Sequence, residues 1–303
     1  MANIPSWVYK LLIVFATIIW GFSFVVMKDV VAVLPPAWLL GIRFLFAGAL
    51  LLVVLRKRVA RFCSRKLVTY GFILGVLDFS AFWLQTVGLK HTTPGINAFL
   101  TATYCVIVPF AWWLIARKRP TVFNIVAAVI AICGIWFVSV STSGETLSVG
   151  FGEAMTLGCA VMFAAHIVAV SKFSQKCDAL VLTVFQFIAE GALGIVFGAA
   201  TETFPGMAVF TPEIVGQMLF LAVFASVVAF GIQNVSLAHV PPAQASLLLS
   251  LESVFGVAFS ILLYGEQMTL RLVVGFVLIF AAIVISETLP LKEKPCRRKT
   301  TSS

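Results

Sequence analysis

The sequence predicts an all-α, polytopic membrane protein in which ten transmembrane helices form two inverted five-helix repeats, and three observations carry that prediction. First, 61% of the 303 residues are hydrophobic and only 11% are charged, with a mean hydropathy of +1.08. A water-soluble fold of this length could not bury so much apolar surface. Second, the chain divides into ten apolar stretches of about 20 residues, each long enough to cross a hydrocarbon layer of about 30 Å. Third, the second half repeats the first. Leu84-Gln85-Thr86-Val87-Gly88-Leu89-Lys90-His91 recurs as Ile232-Gln233-Asn234-Val235-Ser236-Leu237-Ala238-His239 at an offset of 148, which also pairs Pro94 with Pro242 and Thr121 with Thr269. Arg43-Phe44-Leu45-Phe46-Ala47-Gly48-Ala49-Leu50 answers to Gln186-Phe187-Ile188-Ala189-Glu190-Gly191-Ala192-Leu193 at an offset of 143, so one loop is five residues longer in the second half. Five spans per half return the chain to the other side, so the second repeat enters the membrane inverted.

In order, the spans are 9–27, 36–55, 67–89, 94–116, 121–140, 150–170, 179–200, 214–237, 241–264 and 269–288. Period-two alternation is absent, so helices rather than a barrel satisfy the backbone. The first span resembles a signal peptide in having Lys10 before an apolar run, but the run continues through Trp20 to Met27 with no small-residue cleavage site. Arg56, Lys57, Arg58, Arg61, Arg65 and Lys66 follow the second span; Arg117, Lys118 and Arg119 follow the fourth; Lys172 and Lys176 follow the sixth. Lys292, Lys294, Arg297, Arg298 and Lys299 form the tail. With Lys10, these are 17 of the 21 Lys and Arg, and they mark the cytoplasmic side because basic residues resist translocation. Lys28, Lys90 and Arg271 fall outside, where the loops carry the acids Glu145, Glu202, Glu213 and Glu266. The net charge of +9 therefore reports topology, not nucleic-acid binding. The expected layout is a repeat at 9–140, its inverted copy at 150–288 and a basic tail at 289–303, in the cell membrane (the inner membrane of a bacterium) with both termini cytoplasmic.

The six cysteines give no disulfide framework: Cys63, Cys177 and Cys296 are cytoplasmic, while Cys105, Cys133 and Cys159 lie within spans. Metal-binding spacings are absent, so neither metal nor cofactor is expected. Trp7, Trp38, Tyr70, Trp112, Trp113 and Tyr264 fall near span ends, where amphipathic rings suit the headgroup layer. Pro109 predicts a kink in the fourth span. Gly71 with Gly75, and Gly194 with Gly198, predict close helix approaches.

Arg43, Asp78, His166, Glu190 and Glu252 lie inside spans, where an ionisable group costs roughly 2.5–3.5 kcal/mol on insertion scales and needs a partner or a watery cavity. On the third span Gly71, Gly75, Asp78, Phe82 and Gln85 share one face, and their mates Ala222, Ser226, Phe230 and Gln233 draw a similar stripe on the eighth. Asn97, Thr101 and Tyr104 on the fourth answer to Ala245, Leu249 and Glu252 on the ninth; Trp20 and Ser23 on the first answer to Phe163 and His166 on the sixth. Such stripes converge near the midplane if both halves share one fold. Each residue also has a plainer reading. Arg43 is a structural tie to a carboxylate or helix end, and Glu190, whose mate is Ala47, a seam residue. Asp78 either bonds a neighbouring helix or binds a proton in a watery cavity. Gln85 and Gln233 serve as interhelical ties or as site residues, and His166 packs as a neutral ring or titrates. Glu252, beside Ser250 and Ser253, is the carboxyl best placed to exchange a proton.

Trp20-Gly21, Arg43, Leu251-Glu252-Ser253-Val254-Phe255 and Gly265-Glu266 in a ten-span repeat resemble the EamA-type branch of the drug/metabolite transporter superfamily, over essentially all of residues 9–288. The resemblance implies two five-helix halves around a cavity lined by spans one, three, four, six, eight and nine, the set that carries the polar stripes. It also implies export of amino acids or other small metabolites. Arg117-Lys118 stands where the family pattern has an acid, and Ser253 where a proline is common.

The expected function is a secondary transporter working by alternating access and coupled to protons. Trp20, Tyr104 and Phe163 are the expected aromatic walls of its cargo site, and Ser23, Asp78, Gln85, His166, Gln233 and Glu252 its polar groups. No Walker A loop is present. The expected partners are a small-molecule substrate, membrane lipids and protons, with no nucleic acid, and the chain is expected to act as a monomer or weak oligomer. The alternative is a drug-efflux or lipid-linked carrier of the same fold. An intramembrane enzyme fits less well, because its clustered Asp or His motifs are missing and no catalytic residue is identified.

Overall fold

The computed structural model describes residues 5–117, 119–141, 148–174, 176–237 and 248–289. Its helices are α1 (Ser6–Val33), α2 (Pro36–Val54), α3 (Arg56–Phe62), α4 (Arg65–His91), α5 (Pro94–Ala102), α6 (Tyr104–Ala116), α7 (Val122–Ser139), α8 (Phe151–Phe173) and α9 (Ala179–Thr201). Next, α10 (Pro212–Leu219) runs through a π-helical segment, Phe220–Val228, into α11 (Ala229–Leu237); α12 (Leu251–Tyr264) and α13 (Leu270–Thr288) complete the bundle. Among the described residues nine helical runs are long and apolar enough to cross a membrane, and α12 is a shorter apolar helix. The early part of the ninth span, with Pro242 and Ala245, lies outside the described residues, as do Lys118, Glu145 and the tail beyond Leu289. Two-residue strands β1 (Val140–Ser141) and β2 (Ser148–Val149) pair antiparallel between α7 and α8. The protein is thus a helical, multi-pass membrane protein with a two-repeat fold. Its outward apolar side chains, such as Leu114, Val122, Leu262 and Leu270, stand where lipid would cover them.

Local sequence sets the helix ends. Pro94 and Pro212 occupy the first turns of α5 and α10, where their missing N–H costs nothing, behind the N-caps Thr93 and Thr211. Ser64, Asp178 and Thr269 cap α4, α9 and α13 in the same way. Gly265, at φ +70, closes α12 in the left-handed region that glycine tolerates.

Packing obeys the repeat. Helix α2 lies along α9 and α7 along α13, so the second span meets the seventh and the fifth meets the tenth. Helix α1 packs on α12 as α8 packs on α5 and α6, and α4 packs on α8 as the run from the π segment through α11 packs on α1. Exchanging the two halves maps the first two pairs onto themselves and interchanges the members of the other two sets. Glycine permits the closest approaches: a Cβ on Gly194 would sit 2.6 Å from Gly41 Cα, and one on Gly21 would sit 2.9 Å from Gly256 N.

Two breaks differ from the expected span geometry. Helix α6 continues through Pro109, and the fourth span instead breaks at Thr103. Here the Thr103 hydroxyl donates to the Leu100 carbonyl at 2.6 Å, drawing a polar side chain into a tightened turn. The ninth span breaks similarly at Ser250, one position before the mate of Thr103, with φ −63 and ψ −15 against −61 and −14 at Thr103.

Candidate functional site

The aromatic positions singled out by sequence come together in one row. Trp20 meets Phe230 edge-on at 5.4 Å, Phe230 meets Phe187 at 5.3 Å, and Phe187 meets Phe44 at 5.2 Å. Phe44 continues to Phe82 at 5.2 Å, Phe82 to Phe163 at 5.0 Å, and Phe163 to Tyr104 at 6.3 Å. The row from Trp20 to Phe163 is a palindrome under the repeat: Trp20 is the mate of Phe163, Phe230 of Phe82, and Phe187 of Phe44. Mates touch only where a symmetry axis passes between them, so the Phe44–Phe187 contact lies on the axis relating the halves. A second mated pair ends the row, where the Tyr104 hydroxyl donates to Glu252 Oε1 at 3.4 Å. Trp20, Tyr104, Phe163 and Glu252 are each half-buried. Trp20 is held in place by its indole N–H, which donates to the Ala225 carbonyl at 2.8 Å inside the π segment.

Behind this row lies a polar cluster that obeys the same exchange. Gln186 Nε2 donates to Asp78 Oδ2 at 2.6 Å, and Arg43 Nε donates to Ser226 Oγ at 3.0 Å. Gln186 is the mate of Arg43, and Ser226 the mate of Asp78. The two bonds are therefore one bond written twice, carrying an anion in one copy and a cation in the other. His166 Nδ1 stands 3.6 Å from Asp78 Oδ1. The Arg43 guanidinium lies over the rings of Phe44 at 4.7 Å and Phe82 at 5.3 Å, which joins the cluster to the aromatic row. Arg43 hydrogen-bonds to Ser226 and to Met27 Sδ, where the sequence reading has a carboxylate or a helix end as its partner. Asp78 and Glu190 are fully buried.

The remaining expected residues are placed less centrally. Ser23 turns back onto the Trp20 carbonyl at 2.7 Å. Gln85 ties α4 to α5, donating to Thr101 Oγ1 at 3.1 Å while its own carbonyl accepts from Asn97. Gln233 is half-buried on α11. Gln186 and the π-helical setting of Ser226 had not been singled out, although the offset of 143 already set Gln186 opposite Arg43. Cavities of about 260 and 320 Å³ lie away from the row, one beside Glu153 and Arg271 and the other on the apolar seam of α4 and α9.

Charged groups tie the two halves at both faces. Glu202, after α9, accepts from the backbone N–H of Ala37 and Trp38, donors that the Pro35-Pro36 start of α2 leaves uncapped. At the opposite face Arg58, after α2, pairs at 2.8 Å with Asp178, the cap of α9. Lys28 donates to the Leu89 and Thr92 carbonyls, Thr92 donates to Glu153, and Glu266 accepts from Gly95 N and Thr93.

Comparison with known proteins identifies the family and the fold. The model of the EamA-like transporter family matches residues 7–140 and 150–288. An uncharacterized transporter of Archaeoglobus fulgidus is 29% identical over 268 residues, 88% of this chain and 82% of that protein. The uncharacterized transporter YvbV of Bacillus subtilis is 27% identical over 95% of this chain and 94% of its own. Protein PagO of Salmonella typhimurium is 24% identical over 95% of this chain and 96% of its own. A solved structure titled only as a crystal structure of a protein superposes with a TM-score of 0.66 at 16% identity, covering 93% of this chain and 98% of that one, and supports the fold.

Proposed function

Because the chain belongs to the EamA-like transporter family, we propose that it is a secondary transporter exporting small polar or amphipathic metabolites, such as amino acids, by alternating access, with its basic face cytoplasmic. One observation carries the reading: the aromatic row is its own mirror under exchange of the repeats. A site on the axis between inverted halves presents the same walls whichever half has moved, which alternating exposure of one cargo requires. Trp20, Phe163 and Tyr104 supply faces for an apolar or cationic portion of the cargo. Glu252, anchored by Tyr104, supplies the charge at the end of the row that would recognise an amine. Gln233 and Gln85 border the site from α11 and α4, and His166 and Asp78 support it from behind. The chain works with lipids around it as a monomer or weak oligomer, and no residue is assigned a catalytic role.

The test is uptake of a panel of labelled metabolites into proteoliposomes, with and without a proton gradient. Glu252→Gln should insert normally and lose about tenfold in transport, the cost of one hydrogen bond to a charged group, or lose its pH dependence. Unaltered transport at every pH would remove Glu252 from the site. The density of aromatic rings also suits a greasier cargo, so vesicles that take up cationic dyes or lipid-linked compounds but no metabolite would favour the drug-efflux alternative.

A further inference from the structure

We propose that Asp78 and Glu190 share a single proton, carried by Glu190 and donated to Asp78, and that this buried pair is the coupling-proton site of the transporter. Its role in coupling rests on the transport reading; its existence does not. The two carboxyls come from adjoining helices held close by glycine. A Cβ on Gly75, one turn before Asp78, would meet the Gln186 carbonyl at 2.9 Å and Glu190 N at 3.0 Å. Across this seam Asp78 Oδ1 and both oxygens of Glu190 are buried without a hydrogen-bond donor. Ionised carboxylates only accept, so two facing each other form a bond only when one is protonated. The missing partner is a proton.

Symmetry says which carboxyl carries it. Asp78 Oδ2 already accepts from Gln186, and its Oδ1 faces His166, whereas neither oxygen of Glu190 accepts from any donor. The titratable and charged groups around the pair are Arg43 from α2, His166 and the Cys159 thiol from α8, and the two carboxyls from α4 and α9. The π segment contributes the neutral Ser226 and α1 the neutral Met27. Arg43 and Asp78 are the charged members of the two equivalent bonds, and Arg43 faces both buried carboxyls. Glu190 answers to Ala47 and shares the one Arg43 charge with Asp78 while accepting no hydrogen bond, and a second carboxylate with no exposed surface beside a single cation is poorly tolerated there. Release breaks the Glu190 O–H bond, passes the proton to water, and leaves a second anion near Arg43. The guanidinium is then drawn from its seat on Phe44 and Phe82, so the aromatic row senses whether the proton is bound.

Infrared spectroscopy of the full chain in lipid tests the site without a cargo. At neutral pH the wild type should show a protonated-carboxyl C=O band that shifts in D2O. The band should vanish in Glu190→Gln, which keeps the shape of the protonated acid, and persist in Glu252→Gln. Asp78→Asn, which alters the acceptor, should shift the band without abolishing it. Absence of the band in the wild type, or its persistence in Glu190→Gln, overturns the site. In vesicles, Glu190→Gln should still carry cargo down its own gradient while losing at least tenfold of the stimulation by an imposed pH gradient; full stimulation overturns the coupling role. Wild-type vesicles that transport nothing would sink the proposed function and leave the infrared result standing.

Discussion

Arg43 and Gln186 hold equivalent places in the two halves and make the same bond, yet only one of them brings a charge. The repeat preserves the geometry of an interaction and leaves its electrostatics free to diverge, and the helix ends show the same freedom. Glu202 follows α9 and caps α2, while Arg58 follows α2 and clamps the cap of α9, so an acid stands at one face where a base stands at the other. Partial burial pushes the Asp178 carboxyl up, but hydrogen bonds from Arg58 and from the Val181 and Leu180 N–H groups, with the charge of Arg58, hold it below the usual carboxylate range. A carboxyl depressed in the folded state stabilises the fold above its unfolded pKa, about 4, and loses that contribution as pH falls through the folded value. At neutral pH Asp178→Ala should therefore cost about 1 kcal/mol, the worth of an N-cap. Asp178→Asn, which can still cap, should cost less because the exposed ion pair is worth little. Thermal unfolding of the purified protein should show Asp178→Asn converging on the wild type below about pH 4 and the Asp178→Ala gap narrowing to the worth of a neutral cap; gaps that do not change with pH would mean that the Asp178 charge does not matter.

At the scale of the helix, what was legible in the sequence is what length, hydrophobicity and composition encode. Spans of about 20 apolar residues declare themselves because lipid demands internal hydrogen bonding over a fixed thickness. The glycine pairs declared themselves too: Gly71 and Gly75 face α9, and Gly194 and Gly198 face α2. Adding one methyl at Gly194 would drive it onto Gly41 backbone, with no flexible side chain to yield. Gly194→Ala should accordingly cost about 1–3 kcal/mol of stability, whereas Gly216→Ala, where a Cβ meets nothing within 4 Å, should cost nothing by that route. Equal unfolding temperatures for the two would remove the close-approach argument. The breaks at Thr103 and Ser250 were not legible, because hydroxyl residues inside an apolar helix are common and the sequence offered Pro109 as the stronger signal. The pairings inside the site were half legible. The two offsets place Arg43 against Gln186 and Asp78 against Ser226 as equivalents, but not which equivalent bonds which. That choice depends on α4 packing on α9 and on the π turn that brings Ser226 toward α2, and no local sequence preference fixes either.

At the scale of the whole molecule, a single site can open toward either face because an axis in the membrane plane relates the two halves. Two mated contacts, Phe44 with Phe187 and Tyr104 with Glu252, place that axis through the aromatic row. If the halves are inverted, the loop after α2 and the loop after α12 lie on opposite sides, the first carrying Arg56, Lys57 and Arg58 and the second carrying Glu266. Cys63 is exposed beside α3 at the basic face, and Gln267 is exposed at the acidic one. In a chain keeping Cys63 as its one cysteine, a membrane-impermeant thiol reagent should fail to label intact cells and should label inside-out vesicles. In a cysteine-free chain carrying Gln267→Cys the pattern should reverse. These two positions are separated by seven spans, an odd number, so labelling from the same side would require the chain to skip a crossing. That result would break the inverted repeat, and with it the reason for a single site to open toward either face.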